Sequence, residues 1–356
     1  MKKLNEIFWT RIGNNVAVSE LSLPVFRIFT GLWILIFHFE SYAWLGQLPD
    51  YLMQEPVLST SNLLRSYPDP FFMMMIDAVR LLSVIFLLFG IRARYAGMLF
   101  FFLSIYAKSV QYTLGSIEHD FLLYLLLFVM SFSNWGSQLA LVPDRVREGF
   151  SNRTLMAIFA LCLCWGMFTA GYLKAFIWID FDTSTNGCMR WLTEGYYSIE
   201  RNHFLASYMF KVDWKYLEVL DYLAVVFELT PLLFLWINRK AWLTWILIAV
   251  VFHFVNILFM NINFMTHLLV YAVFIDWGAL ANWILRLMDS YKWWVFSMIG
   301  VIICCRFIDI FYGKMYFDLL FYFSNDYYYM HLIVGLIIWS LLAYRLVVEL
   351  RRKRMV

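Results

Sequence analysis

The sequence has little charge. Lys, Arg, Asp and Glu make up only 15% of its 356 residues, whereas hydrophobic residues make up 63% and aromatic residues 21%. A soluble domain carries about 25% charged residues, so the composition excludes an ordinary soluble protein. The formal net charge is only +3, and the basic residues fall mostly beside the ends of apolar runs rather than in one nucleic-acid-binding patch. The sequence therefore predicts an all-α polytopic membrane protein with no nucleic-acid partner.

Cysteine is also scarce, and the five cysteines form no metal-binding pattern. Cys162, Cys164, Cys304 and Cys305 lie inside apolar runs, where thiols behave as small apolar residues. Cys188 alone lies in a polar loop. No zinc or iron–sulfur spacing is present, so we expect no metal. The N-terminus lacks a short apolar run followed by a small-residue cleavage site, so we expect the first span to serve as the insertion signal.

Long apolar runs are abundant. A bilayer core of about 30 Å is crossed by about 20 apolar residues in a helix. On that template the sequence predicts a bundle of about ten transmembrane helices, with a range of about eight to ten. The predicted spans are residues 21–40, 72–91, 95–113, 119–135, 154–178, 218–237, 241–260, 264–284, 293–312 and 329–348.

Basic residues flank the predicted spans in a consistent way. They are Lys2, Lys3, Arg11, Arg92, Arg94, Arg145, Arg147, Arg153, Arg239, Lys240, Arg286, Lys292 and the run Arg351, Arg352, Lys353, Arg354. With ten spans all of these groups lie on one side, and the excess of Lys and Arg on cytoplasmic loops places both termini in the cytoplasm. The loop 180–215, rich in Trp, Tyr and Asp, is then an outer cap. We predict a transmembrane domain at 1–290 that includes this cap, and C-terminal transmembrane helices with a basic cytoplasmic tail at 291–356.

Lys174 lies inside the apolar run that begins near Leu155. An ammonium in hydrocarbon is costly, so an ionisable residue within a span indicates function unless a neighbour explains it. Burial disfavours the charged form, and a desolvated lysine can act as a base near neutral pH. Two structural alternatives stay open: Lys174 can extend its ammonium to the outer interface, or it can pair permanently with a buried carboxylate.

Other polar residues approach the same outer level. His119 and Glu118 begin the fourth span, and His253 and Asn256 are three residues apart on one helix face. An interfacial position for His119, and a structural hydrogen bond from His253 to Asn256 or to another helix, are the alternatives to catalysis. We predict one outward-facing cavity. The predicted catalytic residues are Lys174, His119 and His253, and the predicted substrate-binding residues are Asn256, His267 and Glu118.

The deeper charges have structural interpretations, because charges inside a membrane normally pair. Asp77 and Arg80 are three residues apart and can neutralise each other within one helix. Arg27 has no acidic residue near it in sequence and needs a partner on another helix. Glu228 is the candidate for that partner, and it can instead pair with Lys174.

Five short stretches resemble the horizontally transferred transmembrane (HTTM) domain, which is the membrane part of vitamin K-dependent γ-glutamyl carboxylases. They are VFRIFTGL at 25–32, GIRAR at 90–94, EHDFLLY at 118–124, FTAGYLK at 168–174 and FHFVN at 252–256. The last two are similar to the family patterns F-x-A-G-x-x-K, which holds the catalytic lysine, and F-H-x-x-N. The family asparagine before the functional histidine is replaced by Glu118.

The resemblance implies an enzyme in which Lys174 deprotonates a quinol, with His119 and His253 as hydrogen-bonding or acid–base partners. It implies reduced vitamin K or menaquinol as cofactor, with O2 and CO2 as co-substrates. The implied partners are membrane lipids, a hydrophobic small molecule and a secreted peptide or protein. The implied location is the bacterial inner membrane.

The chain departs from the carboxylases at its C-terminal end. Two further apolar segments stand where the carboxylases carry a large lumenal β-rich domain, so we expect quinone- or lipid-linked chemistry rather than protein carboxylation. The alternative is a non-catalytic transporter or a peptide-maturation and assembly factor. A transporter would show interrupted helices in corresponding places, and the sequence shows no clear pair of these.

Overall fold

The computed structural model describes residues 2–54, 59–115, 120–146, 151–182, 185–312 and 327–351. Within these ranges the chain is helical, and its β-structure is limited to one isolated bridge between Ile91 and Val142. The α-helices are α1 (Lys2–Val16), α2 (Ser22–Trp33), α3 (Pro70–Phe89), α4 (Ala93–Gln111), α5 (Phe121–Met130), α6 (Asn152–Trp178), α7 (Gly187–Ser198), α8 (Ala206–Met209), α9 (Trp214–Leu229), α10 (Pro231–Ile237), α11 (Arg239–Met260), α12 (Met265–Ala272), α13 (Ala281–Tyr312) and α14 (Tyr327–Arg351).

Local signals in the sequence explain where α3 begins and ends. Pro70 suits the first helical turn, and the Asp69 carboxylate caps the helix by accepting a hydrogen bond from the Phe71 amide at 2.8 Å. The helix ends at Gly90, whose φ of 66° lies in the left-handed region that glycine adopts without strain. Gly90 therefore allows the backbone to leave α3 and turn toward α4.

Six helical segments are long and apolar enough to cross a membrane, among the residues that the structure describes. They are Ser22–Gln47, Pro70–Phe89, Asn152–Trp178, Arg239–Met260, Gly278–Tyr312 and Tyr328–Arg351. The pair α9 and α10, bent by 50°, adds a seventh if it counts as one span. The chain is thus a helical, multi-pass membrane protein. The other three of the ten predicted spans correspond to α4, α5 and α12, which are shorter or less apolar.

The predicted eighth span, 264–284, is not one helix. α12 ends at Ala272, and a new helix begins only at Ala281 after a short 3-10 turn. Asp276 explains the break, because its Oδ1 accepts a hydrogen bond from the Gly278 amide at 2.9 Å and thereby stabilises a local turn. The same oxygen accepts from the Ser19 hydroxyl at 2.5 Å. A short polar side chain has therefore interrupted the apolar run.

The chain forms two compact units that alternate along the sequence. Unit 1 comprises Met1–Ala17, Met156–Ile275 and Ser324–Val356, and unit 2 comprises Val18–Leu155 and Asp276–Phe323. Unit 1 therefore holds α1, most of α6, α7 to α12 and α14, and unit 2 holds α2 to α5 and α13. The domain division at residue 290 stays a prediction.

In unit 1, α1 is held to α10 by side chains that reach backbone carbonyls. Asn15 Nδ2 donates to the Leu235 carbonyl at 2.9 Å, and Arg11 Nε donates to the Trp236 carbonyl at 2.8 Å. These carbonyls lie in the last turn of a short helix, where they have no partner within the helix. The N-terminal polar segment thereby becomes an ordered part of unit 1.

The segment 180–215, predicted as a cap, contains the short helices α7 and α8. The apolar side chains of this segment form a small core with the start of α9: Met189, Leu192, Ala206, Met209 and Leu217. The segment packs on the end of α11, where the Leu205 amide donates to the Leu258 carbonyl at 3.0 Å and the His203 amide donates to Asn261 Oδ1 at 2.7 Å. It is a folded part of unit 1; its position on the outer side of the membrane stays a prediction.

We expect Cys188 in this segment to react slowly with thiol reagents. Burial, together with the nearby Asp221 carboxylate, raises the pKa of the Cys188 thiol to about 12. Because the thiolate is the reactive form, alkylation at pH 8 should be about 100- to 1,000-fold slower than for a free thiol. The measurement is iodoacetamide labelling of a variant in which Cys162, Cys164, Cys304 and Cys305 are serine. Fast labelling of the folded protein, equal to that in SDS, would contradict this expectation.

Candidate functional site

Lys174 lies on the last turns of α6, beside α9 of the same unit. One turn earlier, Gly171 permits a close approach of the two helices: a Cβ at this position would lie 2.7 Å from Glu228 Cβ. Gly171 and Lys174 are three residues apart and share a helix face. The approach brings the Glu228 carboxylate to the Lys174 ammonium, and the two form a hydrogen-bonded ion pair. Of the two structural alternatives for Lys174, the structure shows pairing.

The two partners of this ion pair differ in their exposure to solvent. The Glu228 side chain is 6% exposed, whereas the Lys174 side chain is 30% exposed. The Trp178 ring centroid lies 5.2 Å from Lys174 Nζ, within cation–π distance. Glu228 Oε2 is buried and accepts no hydrogen bond from the residues that the structure describes. Such an unsatisfied acceptor costs about 1–3 kcal/mol, so the pair has capacity for a further donor.

His253 lies in an aromatic cluster of unit 1 formed by α11, α12 and α14. Its Nε2 lies 3.0 Å from the Tyr271 hydroxyl, and the Trp339 ring stacks on it with 5.0 Å between centroids. The His267 ring is 5.4 Å away. The structure therefore brings together two predicted site residues, His253 and His267. The imidazole of His253 bonds to another helix, rather than to Asn256 on its own helix face.

Lys174 and His253 have different polar partners, Glu228 and Tyr271. Among the described residues, the ion pair of Lys174 is with a carboxylate and not with a histidine. His119 and Glu118 lie outside the described residues, so the convergence of the three predicted catalytic residues stays a prediction. Glu228 is the partner of Lys174, and it does not serve as the counter-ion of Arg27.

Asp77 and Arg80 form the pair that their spacing predicts. Arg80 Nη1 lies 2.8 Å from Asp77 Oδ1, and both side chains are fully buried. The other carboxylate oxygen of Asp77 accepts from the Ser41 hydroxyl at 2.8 Å and from the Tyr42 amide at 2.6 Å. Arg80 Nη1 also donates to the Glu40 carbonyl at 2.9 Å. The pair thus ties α3 to the irregular segment 39–42, which follows the π-helical turn Ile34–His38.

Arg27 is satisfied by backbone carbonyls. Its guanidinium donates to the carbonyls of Leu87 and Leu88 at the end of α3, the latter at 2.9 Å. It also donates to the carbonyls of Trp135, at 3.1 Å, and Leu139. The last carbonyls of a helix have no partner within the helix and carry partial negative charge. Backbone carbonyls at the end of α3 and in the segment after α5 therefore take the place of the expected acidic partner, and Asp144 adds a favourable electrostatic interaction.

Unit 2 also contains a cluster whose lysine and carboxylates the sequence pattern did not single out, which we call the Lys108 cluster: His38, Glu40, Lys108 and Asp120. Lys108 Nζ lies 2.8 Å from Glu40 Oε2 and 3.1 Å from Asp120 Oδ2. His38 Nε2 lies 3.7 Å from Asp120 Oδ2. The Tyr42 hydroxyl donates to Glu40 at 2.8 Å. With a side chain only 6% exposed, Lys108 is more buried than Lys174.

A signal for this cluster is present in the sequence. Lys108 stands inside the predicted span 95–113, so the argument that singles out Lys174 applies to it equally. Its partners could not be foreseen, because Glu40 lies in an irregular segment that follows the π-helical turn ending at His38. His38 ends the π-helical segment Ile34–His38. Two carbonyls of this segment accept hydrogen bonds from Arg306: that of Leu35 from Nε at 2.8 Å and that of Ile36 from Nη2 at 3.1 Å.

Comparison of this chain with family models, with curated proteins and with solved structures finds no match. The resemblance to the carboxylase membrane domain therefore rests on the five short stretches alone, and its functional implications are proposals.

Proposed function

We propose that this protein is an integral membrane enzyme of the HTTM type, resembling vitamin K-dependent γ-carboxylase, in which Lys174 removes a proton from a hydrophobic substrate. The observation that carries the proposal is the Lys174–Glu228 pair: an amine open on one side, with a buried carboxylate behind it. A structural pair would satisfy both partners, whereas Glu228 Oε2 retains an acceptor without a hydrogen bond among the described residues.

The pair supplies a neutral amine without adding charge to the membrane. In a medium of low dielectric constant an ion pair and its neutral form lie closer in free energy than they do in water, because charged groups lose their hydration. Transfer of one proton from Lys174 to Glu228 leaves a free amine next to a protonated carboxyl group. The amine can then accept the hydroxyl proton of a substrate. In this scheme Glu228 holds the proton that Lys174 gives up.

The substrate class that fits is a quinol. The side chains exposed on the same end of α6 are largely aromatic: Trp165, Phe168, Tyr172 and Phe176. Aromatic rings offer flat apolar surface to a naphthoquinol ring. By resemblance, the quinol is reduced vitamin K or menaquinol, O2 is the oxidant, CO2 is a further co-substrate, and a secreted peptide or protein is a downstream partner.

His253 would act through Tyr271 in this scheme. The two are hydrogen-bonded at 3.0 Å, and the Glu228 carboxylate lies close enough to Tyr271 to interact with its hydroxyl electrostatically. Groups in such a polar network polarise one another. His119 stays the third proposed partner, and Asn256, His267 and Glu118 stay proposed substrate contacts.

The proposed location is the bacterial inner membrane, with both termini in the cytoplasm. If α9 and α10 count as one span, the chain has seven spans among the described residues. With seven spans, the basic residues that flank the spans lie on both sides of the membrane. If α4, α5 and α12 also cross, the basic groups named above as flanking the spans fall on one side, as the positive-inside rule favours. The ten-span topology is therefore part of the proposal.

The test is quinol turnover by the full-length protein in lipid nanodiscs. Reduced menaquinone plus O2 should yield quinone epoxide plus water, detected by mass spectrometry. Lys174→Met and Glu228→Gln should each lower turnover by about 10²- to 10⁴-fold, the usual contribution of a positioned acid–base group. The matched control is Lys211→Met, which removes an exposed lysine of the same unit. Unchanged turnover in Lys174→Met, or no epoxide from the wild type, would refute the proposal.

One observation favours transport as a second candidate. The bent pair α9 and α10 breaks at Thr230, two residues after Glu228, and broken helices at an ionisable residue are typical of secondary transporters. A transporter would accumulate substrate in proteoliposomes when a proton gradient is applied, and Glu228→Gln would abolish uptake while producing no change in any quinol product.

A further inference from the structure

We propose that His38, Glu40 and Asp120 form a binding site for a divalent transition-metal cation, and that Lys108 is a tethered cation that competes for the same carboxylates. This site lies in unit 2 and is independent of the function proposed above. Its residues come from two places in the chain: His38 and Glu40 lie at and just after the end of the π-helical segment, and Asp120 is the residue before α5.

The donor atoms already converge. One ligand atom from each of His38, Glu40 and Asp120 lies within 4.8 Å of the other two. Cis ligands around a metal bound at about 2.0–2.2 Å are separated by about 3–3.5 Å, and the His38–Asp120 distance of 3.7 Å is close to that value. Completing the set would require Glu40 to move toward the other two ligands and Lys108 Nζ to leave the two carboxylates that it contacts.

His38 supplies an independent indication of a ligand. Its side chain is 9% exposed, and its buried Nε2 makes no hydrogen bond to any residue that the structure describes. This nitrogen is directed at the Asp120 carboxylate but lies too far from it for a hydrogen bond. A neutral imidazole nitrogen without a hydrogen bond is a metal donor. One imidazole and two carboxylates suit Zn²⁺, Fe²⁺, Mn²⁺ or Co²⁺.

The local charges favour a cation. Glu40 and Asp120 both pair with the ammonium of Lys108, and the Tyr42 hydroxyl donates to Glu40. The neighbouring Arg80 is already paired with Asp77, so it does not neutralise the cluster. The Lys108 cluster thus carries one net negative charge when His38 is neutral. Lys108 Nζ stands where a cation bridging the two carboxylates would stand, so metal binding requires this flexible side chain to withdraw.

The experiment measures metal binding by the full-length protein in detergent, after treatment with EDTA. The probes are Co²⁺ alone, followed by visible absorption, and Zn²⁺ alone, followed by calorimetry. We expect one equivalent per chain in the wild type. His38→Gln and Asp120→Asn should weaken binding by about 100-fold or more, because even outer-shell partners of metal ligands contribute 10- to 100-fold. Lys108→Met should tighten binding by about tenfold or more, since it removes the competing charge.

The matched control is His203→Gln, which removes a histidine of unit 1 and should leave affinity unchanged. The wild type gives a second measurement if a variant does not fold: its midpoint of thermal unfolding should rise with Zn²⁺ concentration. Binding that is equal in wild type, His38→Gln and Asp120→Asn would overturn the proposal. So would binding by Lys108→Met alone, because the cluster in the natural chain would then be an ion-pair network only.

Discussion

Arg27→Met is expected to lower the free energy of unfolding by about 3–5 kcal/mol, the range seen when one partner of a buried charged contact is removed. The guanidinium is fully buried and donates to four backbone carbonyls. Methionine fills a similar volume but donates no hydrogen bond, so each of the four carbonyls would lose one donor in a dry environment, although the Leu87 carbonyl would keep the Gly90 amide. Buried acceptors without partners are costly for that reason.

The measurement is SDS-induced unfolding in mixed micelles, followed by circular dichroism. Arg286→Met is the matched control, because Arg286 is an exposed arginine of the same unit, and it should change stability by less than about 0.5 kcal/mol. Arg27→Lys should also destabilise, since one ammonium cannot reach four carbonyls in a fork geometry. If Arg27→Lys is as stable as the wild type, then a positive charge at this position is sufficient, and the several hydrogen bonds of the guanidinium are not needed to stabilise the end of α3.

The contrast between Arg27 and Asp77–Arg80 shows what a sequence reveals about buried charges. A pair three residues apart on one helix is fixed by helical geometry, so the Asp77–Arg80 contact could be predicted from the spacing of the two residues alone. The partners of Arg27 are carbonyls, which every residue has, so no residue type in the sequence marks them. Glu228 could pair with either Lys174 or Arg27, and only the packing of α6 on α9 decided in favour of Lys174.

The same limit applies to the fold and to the candidate site. Apolar length predicted the six long spans, because a helix that crosses a bilayer needs about 20 apolar residues. It did not predict the break at Asp276, where a local hydrogen bond to the Gly278 amide outweighs the apolar run. Lys108 was visible in the sequence, but its two carboxylates lie 68 and 12 positions away and meet it only through tertiary structure.

Breaking the Asp77–Arg80 pair should have an equally large effect, and removing both charges should have a smaller effect than the two single changes suggest. Arg80→Met leaves the Asp77 carboxylate buried with neutral donors only, and we expect a loss of about 3–5 kcal/mol. Asp77→Asn leaves the guanidinium among aromatic rings, 4.6 Å from the Tyr42 centroid and 5.5 Å from that of Phe100. The double variant restores electroneutrality.

A double-mutant cycle on these two residues should therefore give a coupling energy of about 1.5–3 kcal/mol, the upper range for groups in direct contact. The internal comparison is the exposed pair Asp213–Lys215, which lies at a similar distance of 3.0 Å but has side chains 54% and 61% exposed. Solvent screening should reduce its coupling to below about 1 kcal/mol. Equal coupling in the two pairs would mean that Asp77 and Arg80 are hydrated in the folded protein, and the irregular segment 39–42 would then need another anchor to α3.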